Sequence, residues 1–202
     1  MPLIVTATLD APTQERFDAL RRRHFPSDRN FLAAHLTLFH ALPDEPCAAA
    51  RTAAATPTPT TAETPGPGPA PTTAPATAAT PGPPARPLRQ ALAAAARRPP
   101  IPVRVTGLRL LGRGVAYRLE APELLALRAD LARDRDLTAQ DRGKRELHVT
   151  VQNKVTPERA RALHAELSAA FVPETVTATG LALWRYLGGP WEPLAEYRFS
   201  GP

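Results

Sequence analysis

Two short strings of the sequence combine a histidine and a threonine at the same spacing. They are His35-Leu36-Thr37-Leu38 and His148-Val149-Thr150-Val151. In an extended strand successive side chains alternate between faces, so each histidine shares a face with its threonine. Each string therefore predicts a strand that buries its aliphatic pair and presents an imidazole beside a hydroxyl.

Two such imidazoles that face each other can act as an acid and base pair. The pKa of imidazole lies near neutrality, so a neutral ring can accept a proton from water while a protonated ring donates to a leaving oxygen. The hydroxyls of Thr37 and Thr150 can bind the non-bridging oxygens of a phosphate for in-line attack. We assign His148 as the base and His35 as the acid, although the reverse is equally consistent with the residues.

Zinc binding is the competing use of paired histidines, and it needs a third ligand at a matched spacing. Strict alternation places His40 on the strand face opposite His35, and neither motif contains a cysteine or a carboxylate. We therefore expect no metal site and no cofactor. Cys47 is the only cysteine of the chain, which excludes an intramolecular disulfide and a thiolate cluster.

Each motif ends a predicted strand, helix, strand unit. The first unit has a strand within residues 2–9, a helix over residues 12–25 with Asp10 as its N-cap, and the strand of His35. The second has strands that turn near Gly112 and Gly114, a helix over residues 122–134, and the strand of His148. The repeated order predicts an internal duplication.

The remaining elements follow from capping residues and apolar patterns. Residues 88–98 predict a short helix, and Thr156 caps a helix that runs to about residue 171. Strands are predicted near residues 174–179, 181–186 and 194–199.

The composition changes abruptly between residues 44 and 87. This segment consists largely of Ala, Thr, Pro and Gly, with no aromatic or branched aliphatic residue between Arg51 and Pro87. Such a segment cannot bury enough apolar surface to offset its chain entropy. We predict one domain made of residues 1–43 and 88–202, interrupted by a disordered insertion at residues 44–87.

The formal net charge of +6 favours an anionic partner such as RNA, a nucleotide or a phosphorylated metabolite. The N-terminus lacks a basic region followed by a long apolar run, and no segment reaches the roughly 18 apolar residues that cross a bilayer. We expect a cytoplasmic monomer that does not bind membranes.

Polar residues near the second motif are candidate substrate contacts. Lys144 and Arg145 lie within four residues before His148 and can either line the phosphate end of the cleft or form a solvated loop. Strict alternation places Gln152 on the face of His148, where it can contact the ribose or the base.

Aromatic residues offer a further candidate contact with a base. Strict alternation places Phe39 on the face of His35, where it can stack on a base or pack in the core. Trp184 and Trp191 can form a base-stacking wall or close a small core, and we favour the core.

The paired His-x-Thr-x motifs resemble those of the two-histidine phosphoesterase superfamily, in particular its bacterial branch of 2'-5' RNA ligase-like, RNA 2',3'-cyclic phosphodiesterase proteins. The resemblance extends to HLTLFHALP, LLGRGVAYRLE, LTAQDR, HVTVQNKV and LALWRYLGGPWE. It implies that His35 and His148 are catalytic and that Thr37 and Thr150 bind phosphate. It also implies a bilobal α+β fold, with antiparallel sheets that line a central cleft and helices packed outside.

Two features depart from this pattern: the insertion at residues 44–87, and Leu147 where proline is common. The leading hypothesis is metal-independent hydrolysis of a 2',3'-cyclic phosphate on RNA or a nucleotide, for which the resemblance implies a 2'-phosphate product and a reversible 2'-5' ligation. Alternatives are a small nucleotide-derived cyclic phosphate or a 2'-5' oligonucleotide as substrate, or a non-catalytic RNA-binding module.

Overall fold

The structure of the chain, a computed structural model, describes residues 1–42, 87–133 and 135–201. The predicted insertion lies outside the described residues except for Pro87, so its disorder and the domain boundaries stay predictions. The strands of the described part are β1 Leu3–Leu9, β2 Leu36–Leu42, β3 Ile101–Leu110, β4 Val115–Glu120, β5 Leu147–Gln152, β6 Glu174–Tyr186 and β7 Trp191–Arg198. Its α-helices are α1 Ala11–His24, α2 Leu88–Ala95, α3 Pro122–Ala132, α4 Ala139–Gly143 and α5 Pro157–Ala169.

These seven strands join in one antiparallel sheet in the order β1-β2-β5-β4-β3-β6-β7. Because β1 also pairs with β6, the pairings of six strands close on themselves and β7 is added to β6. The predicted α+β class is confirmed. The strands of both halves of the sequence belong to this single sheet, and the internal duplication stays a prediction.

The aliphatic residues of both motifs are buried, as the alternation predicts. Leu36, Leu38, Val149 and Val151 have no exposed surface, and they share one core with residues of α1 and α3 such as Phe17. Burial of each side chain stabilises the fold by roughly 1.5–3 kcal/mol relative to exposure. The core therefore holds both motif strands by their apolar sides.

Side-chain caps set the starts of two helices. Asp10 Oδ1 accepts a hydrogen bond of 3.0 Å from the Thr13 N–H, and its Oδ2 accepts one of 2.9 Å from the Thr177 N–H of β6. Thr156 Oγ1 accepts a 3.4 Å hydrogen bond from the Arg159 N–H at the start of α5. Both predicted caps are confirmed.

Two elements differ from the sequence prediction. Helix α4 has five residues, too few to show a helical period, and it begins after the cap Thr138. The two strands expected on either side of Gly180 form the single strand β6. A Cβ at Gly180 would lie 2.5 Å from the Tyr197 carbonyl oxygen, so this glycine permits close strand contact rather than a turn. No helix of the described residues is long and apolar enough to cross a bilayer.

Candidate functional site

The two motifs lie on neighbouring antiparallel strands. Strand β5 inserts between β2 and β4, and Leu36 of β2 pairs with Val149 of β5. This register sets His35 opposite Thr150 and Thr37 opposite His148, all four on one face. We call these four residues the motif quartet.

The register also determines the distances between the four side chains of the quartet. Side chains directly opposite each other have Cβ atoms about 5 Å apart, and diagonal neighbours are about 7–8 Å apart. The two histidines occupy one diagonal and the two threonines the other. Two imidazoles at this spacing can reach opposite sides of one phosphate.

Neighbouring strands add two polar residues to the same face. Thr6 of β1 pairs with Thr37, and Arg118 of β4 pairs with His148. Thr6 is buried and accepts a 3.0 Å hydrogen bond from Trp184 Nε1, whereas Arg118 is exposed. The sequence pattern does not single out either residue because their role depends on which strands are adjacent.

Both motif strands bulge directly after the threonine. Along β1 and β2, Thr6 pairs with Thr37 while Val5 pairs with Phe39, so Leu38 is an extra residue. Along β4 and β5, Ala116 pairs with Thr150 while Val115 pairs with Gln152, so Val151 is the extra residue. A bulge of one residue reverses the alternation of the residues that follow.

The face assignments made by strict alternation are therefore wrong beyond the bulges. Phe39 pairs with Val5, so it lies on the core face and has no exposed surface. Gln152 pairs with the buried Val115 and is 4% exposed. Neither side chain shares the face of the quartet. His40, which alternation places away from His35, comes to the quartet side instead.

His35 is held by its backbone and by an aromatic neighbour. Its Nδ1 lies 2.8 Å from the Ala33 carbonyl oxygen and must donate, so Nε2 of the neutral ring presents a lone pair. The ring centroid lies 4.6 Å from that of Trp191 on β7. Burial lowers the pKa of His35 to about 4, against the opposite effect of the Ala33 hydrogen bond.

His148 has a different environment. Its Nδ1 is buried and has no hydrogen-bond partner among the described residues, which leaves Nε2 for proton transfer. Burial and the charge of Lys144 lower the pKa of His148 to about 4. Both quartet histidines are thus neutral at pH 7 before an anion binds.

The lowered histidine pKa values predict acid sensitivity of the fold. The folded-state pKa values lie below the ordinary 6.5, so the unfolded chain binds more protons between about pH 6.5 and 4. We expect the free energy of unfolding to fall on acidification through this window. Urea titrations at several pH values measure it, and His35→Asn should weaken the dependence. An equally steep dependence in that variant would contradict the assignment to His35.

The two cations predicted before the second motif differ in placement. Lys144 is half-buried, and burial together with the charge of Arg128 lowers its pKa to about 8. Its charge lowers the pKa of both quartet histidines. Arg145 is exposed and donates a 3.2 Å hydrogen bond to the Arg142 carbonyl oxygen. Of the two cations, Lys144 is the more buried and the one whose charge acts on the quartet histidines.

A cavity of about 700 Å³ borders His35. Trp184 and Trp191 line it, with ring centroids 6.1 Å apart, and both are partly exposed rather than enclosed in a core. Exposed Phe31 lies on its loop side. The cavity size is in the range of small-molecule sites, and its aromatic lining suits a flat ring.

Comparison with protein-family models shows which family the chain belongs to. The model described as the 2'-5' RNA ligase superfamily matches residues 9–190. The chain belongs to this superfamily. It is thus a member of the two-histidine phosphoesterases, a class of phosphoesterases and ligases.

The chain is also similar to solved structures of two other proteins. TT0787 of Thermus thermophilus matches with a TM-score of 0.56 and 15% identity, over 100% of this chain and 99% of that chain. Escherichia coli LigT in complex with NADP+ matches with a TM-score of 0.47 and 18% identity, over 98% of this chain and 97% of that chain. The LigT complex with 3'-AMP gives 0.44 and 17%, over 99% and 98%. A search of curated proteins finds no significant match.

The superfamily motifs are accompanied by no cluster of metal ligands in the described part of the chain. Residues 1–42, 87–133 and 135–201 contain no group of three His, Cys, Asp or Glu side chains that could hold an ion. His40 shares the quartet side, but its Nδ1 contacts Asp141 at 3.1 Å.

Arg21 of α1 connects the two superfamily motifs. It is 5% exposed, and its Nε donates to Asn30 Oδ1 at 2.8 Å and to the Leu32 carbonyl oxygen at 2.9 Å, just before His35. Its Nη1 donates to the Thr150 carbonyl oxygen at 2.9 Å. One buried guanidinium thus ties the loop before the first motif to the strand of the second. Arg21 is a positioning residue.

We expect Arg21→Met to lower the free energy of unfolding by about 2–3 kcal/mol because it leaves buried acceptors unpaired. The remaining folded enzyme should lose about tenfold in kcat, in line with the loss of positioned groups. The charge of Arg21 lowers the pKa of His35, so the pH profile should also move upward. Arg22→Met, an exposed neighbour on α1, is the control. Wild-type kcat and pH profile in Arg21→Met would rule out this positioning role.

Proposed function

We propose that this protein is a metal-independent phosphodiesterase that hydrolyses the 2',3'-cyclic phosphate of RNA or nucleotides to a 2'-phosphate. The observation that carries the proposal is the pairing of Leu36 with Val149, because it brings both imidazoles and both hydroxyls onto one face. A monomer completes this site, since one chain supplies all four groups.

The proposed reaction uses one histidine on each side of the phosphorus. Nε2 of His148 takes a proton from water, and the water oxygen forms the new bond to phosphorus. The bond from phosphorus to O3' breaks, and His35 Nε2–H donates its proton to O3'. The products are a 3'-hydroxyl and a 2'-phosphate. A 5'-hydroxyl that attacks in place of water, with O3' again leaving, gives a 2'-5' phosphodiester, and the reverse of that step cleaves it.

We assign His35 as the acid because of the hydrogen bond that its Nδ1 makes. Its Nδ1–H bond to the Ala33 carbonyl persists in the protonated ring and stabilises it, whereas the buried Nδ1 of His148 has no such acceptor among the described residues. A bound phosphodiester anion further favours the protonated form of His35. The hydroxyls of Thr37 and Thr150 bind the non-bridging oxygens, and Lys144 offsets the developing charge.

A small nucleotide-derived cyclic phosphate is the second candidate substrate, and the cavity beside His35 favours it. Its volume of about 700 Å³ suits one nucleoside, and Trp184 and Trp191 offer ring faces to a base. A 2'-5' oligonucleotide uses the same chemistry with a longer chain.

The decisive experiment incubates the protein with excess EDTA and a substrate panel. The panel contains a nucleoside 2',3'-cyclic phosphate, an RNA with a cyclic phosphate end and a 2'-5' dinucleotide, and chromatography separates 2'- from 3'-phosphate products. We expect 2'-phosphate formation that is insensitive to EDTA. Loss of turnover with EDTA would refute metal independence. RNA binding that phosphate competes with, but no product from any substrate, would indicate a non-catalytic module.

We expect Trp191→Ala to raise KM for a nucleoside cyclic phosphate about tenfold, because stacking on an aromatic ring contributes about 1–3 kcal/mol per base. Trp191→Phe should retain most of the affinity. Equal KM values for Trp191→Ala and the wild type would place the base elsewhere.

A further inference from the structure

A third histidine lies beside the quartet and is fixed by a buried carboxylate. Asp141 of α4 is 0% exposed, and its two oxygens accept the backbone N–H groups of His40 at 2.8 Å and Ala41 at 3.0 Å. The same carboxylate lies 3.1 Å from His40 Nδ1. These hydrogen bonds outweigh burial and keep the pKa of Asp141 below its ordinary value, so it is ionised at neutral pH.

The contact with Asp141 orients the imidazole of His40. A carboxylate only accepts, so Nδ1 of His40 carries the hydrogen and Nε2 is the free nitrogen. The His40 side chain is 32% exposed while Asp141 is fully buried, so the edge of the ring away from Asp141 is the one that solvent reaches. Burial and the charge of Lys144 lower the pKa of His40, and Asp141 acts in the opposite direction.

Lys144 supplies the positive charge of this region. It forms no ion pair with a carboxylate of the described residues, and its charge reaches His35, His40 and His148. Of the other nearby cations, Arg109 pairs with Glu146 and Arg128 donates to the Asp141 carbonyl oxygen. Exposed Arg118, opposite His148 on β4, adds to the positive charge. Protonation of His40 would add a further positive charge.

The two sides of the quartet therefore differ in charge. The cavity beside His35 is lined by tryptophans and by three carboxylates, Asp10, Asp18 and Glu196, with Arg198 as a cation. The side of His148 carries the cation Lys144 and the neutral ring of His40, which is bonded to ionised Asp141. A phosphate group is favoured on the second side, and a base on the first.

We propose that Lys144 and His40, oriented by Asp141, form a second anion subsite that takes a further phosphate group of the nucleotide whose cyclic phosphate occupies the quartet. The inference rests on the proposed function and narrows its substrate class. The preferred substrate carries at least one phosphate besides the cyclic one, as the 5'-phosphate at an RNA end does. Binding of this phosphate protonates Nε2 of His40, which then donates to a phosphate oxygen while Nδ1–H remains on Asp141.

The test compares adenosine 2',3'-cyclic phosphate with and without a 5'-phosphate. We expect kcat/KM to be at least about tenfold higher with the 5'-phosphate, the effect of one hydrogen bond to a charged group. Lys144→Met and His40→Asn should each lower this ratio at least about threefold. Asparagine can keep the hydrogen bond to Asp141 but lacks Nε2, whereas His40→Gln places an amide near the Nε2 position and should recover part of the ratio.

Matched controls are His164→Asn on α5 and Lys154→Met, the other lysine of the sequence, and both should keep the wild-type ratio. A wild-type ratio near one, or an unchanged ratio in both subsite variants, would overturn the proposal. Lys144→Gln replaces Lys144→Met if the latter does not fold by circular dichroism.

A binding measurement tests the subsite independently of the proposed reaction. Calorimetry with adenosine 2',5'-bisphosphate and 2'-AMP gives an affinity ratio that needs no turnover. If neither cyclic compound is hydrolysed but the bisphosphate binds more tightly in a manner that depends on Lys144 and His40, the subsite stands and the proposed reaction fails. Equal affinities for both ligands would overturn the subsite.

Discussion

Replacement of either His35 or His148 by alanine should lower kcat/KM for a nucleoside 2',3'-cyclic phosphate by about a thousandfold, within the range for loss of a general acid or base. The double variant should be little slower than either single variant, because the two imidazoles act in one proton-transfer sequence. Steady-state rates with EDTA present measure both effects.

The control for this series is His164→Ala, which removes a partly exposed histidine from α5. It should keep wild-type kcat/KM. Thermal unfolding of each variant separates lost chemistry from lost folding, and His148→Ala breaks no described hydrogen bond of the ring. Wild-type rates in both single variants would refute the acid and base assignment.

The pH dependence of kcat/KM should be unusually acidic. This parameter reports the pKa values of the free enzyme, and burial lowers those of both His35 and His148 to about 4. Above about pH 5 the protonated acid becomes tenfold rarer with each pH unit. We expect kcat/KM to fall about a thousandfold between pH 5 and pH 8.

The profile of kcat should lie at higher pH than that of kcat/KM. A bound phosphodiester adds a negative charge between the imidazoles and therefore raises the pKa of the acid in the complex. Rates at saturating and at low substrate, each in buffers of constant ionic strength, distinguish the two profiles. A kcat/KM profile with its maximum near pH 6.5 would show that the free histidines keep their ordinary pKa values.

Much of the fold follows from local patterns. Asp10 and Thr156 are caps that act within one helical turn, and the apolar periodicities of α1, α3 and α5 depend only on neighbouring residues. The spacing within each His-x-Thr-x motif is equally local. For this reason the sequence predicts the α+β class, the superfamily and the face shared by each histidine and its threonine.

Strand pairing joins residues that are far apart in the sequence. It determines which residues of the two motifs lie opposite each other. The sequence shows two strands with equivalent motifs, but only the register of Leu36 with Val149 sets each histidine opposite the threonine of the other motif. The contact of Arg21 depends on strand pairing in the same way. The sequence predicts only that Arg21 lies on a helix, and the fold places the Thr150 carbonyl oxygen within hydrogen-bond distance of its guanidinium group.

The bulges after Thr37 and Thr150 cannot be predicted from the local sequence. Arg128 donates to the Leu38 carbonyl oxygen at 2.9 Å, and Asp141 accepts the N–H groups of His40 and Ala41, so residues about a hundred positions away hold the bulged strand.

The sequence by itself therefore determined the two histidine and threonine pairs and the elements that carry them. The tertiary structure decided that Phe39 and Gln152 are buried and that the ring of His40 bonds to Asp141. The physical reason is that one extra residue in a strand reverses every later side chain, and distant hydrogen bonds stabilise that residue.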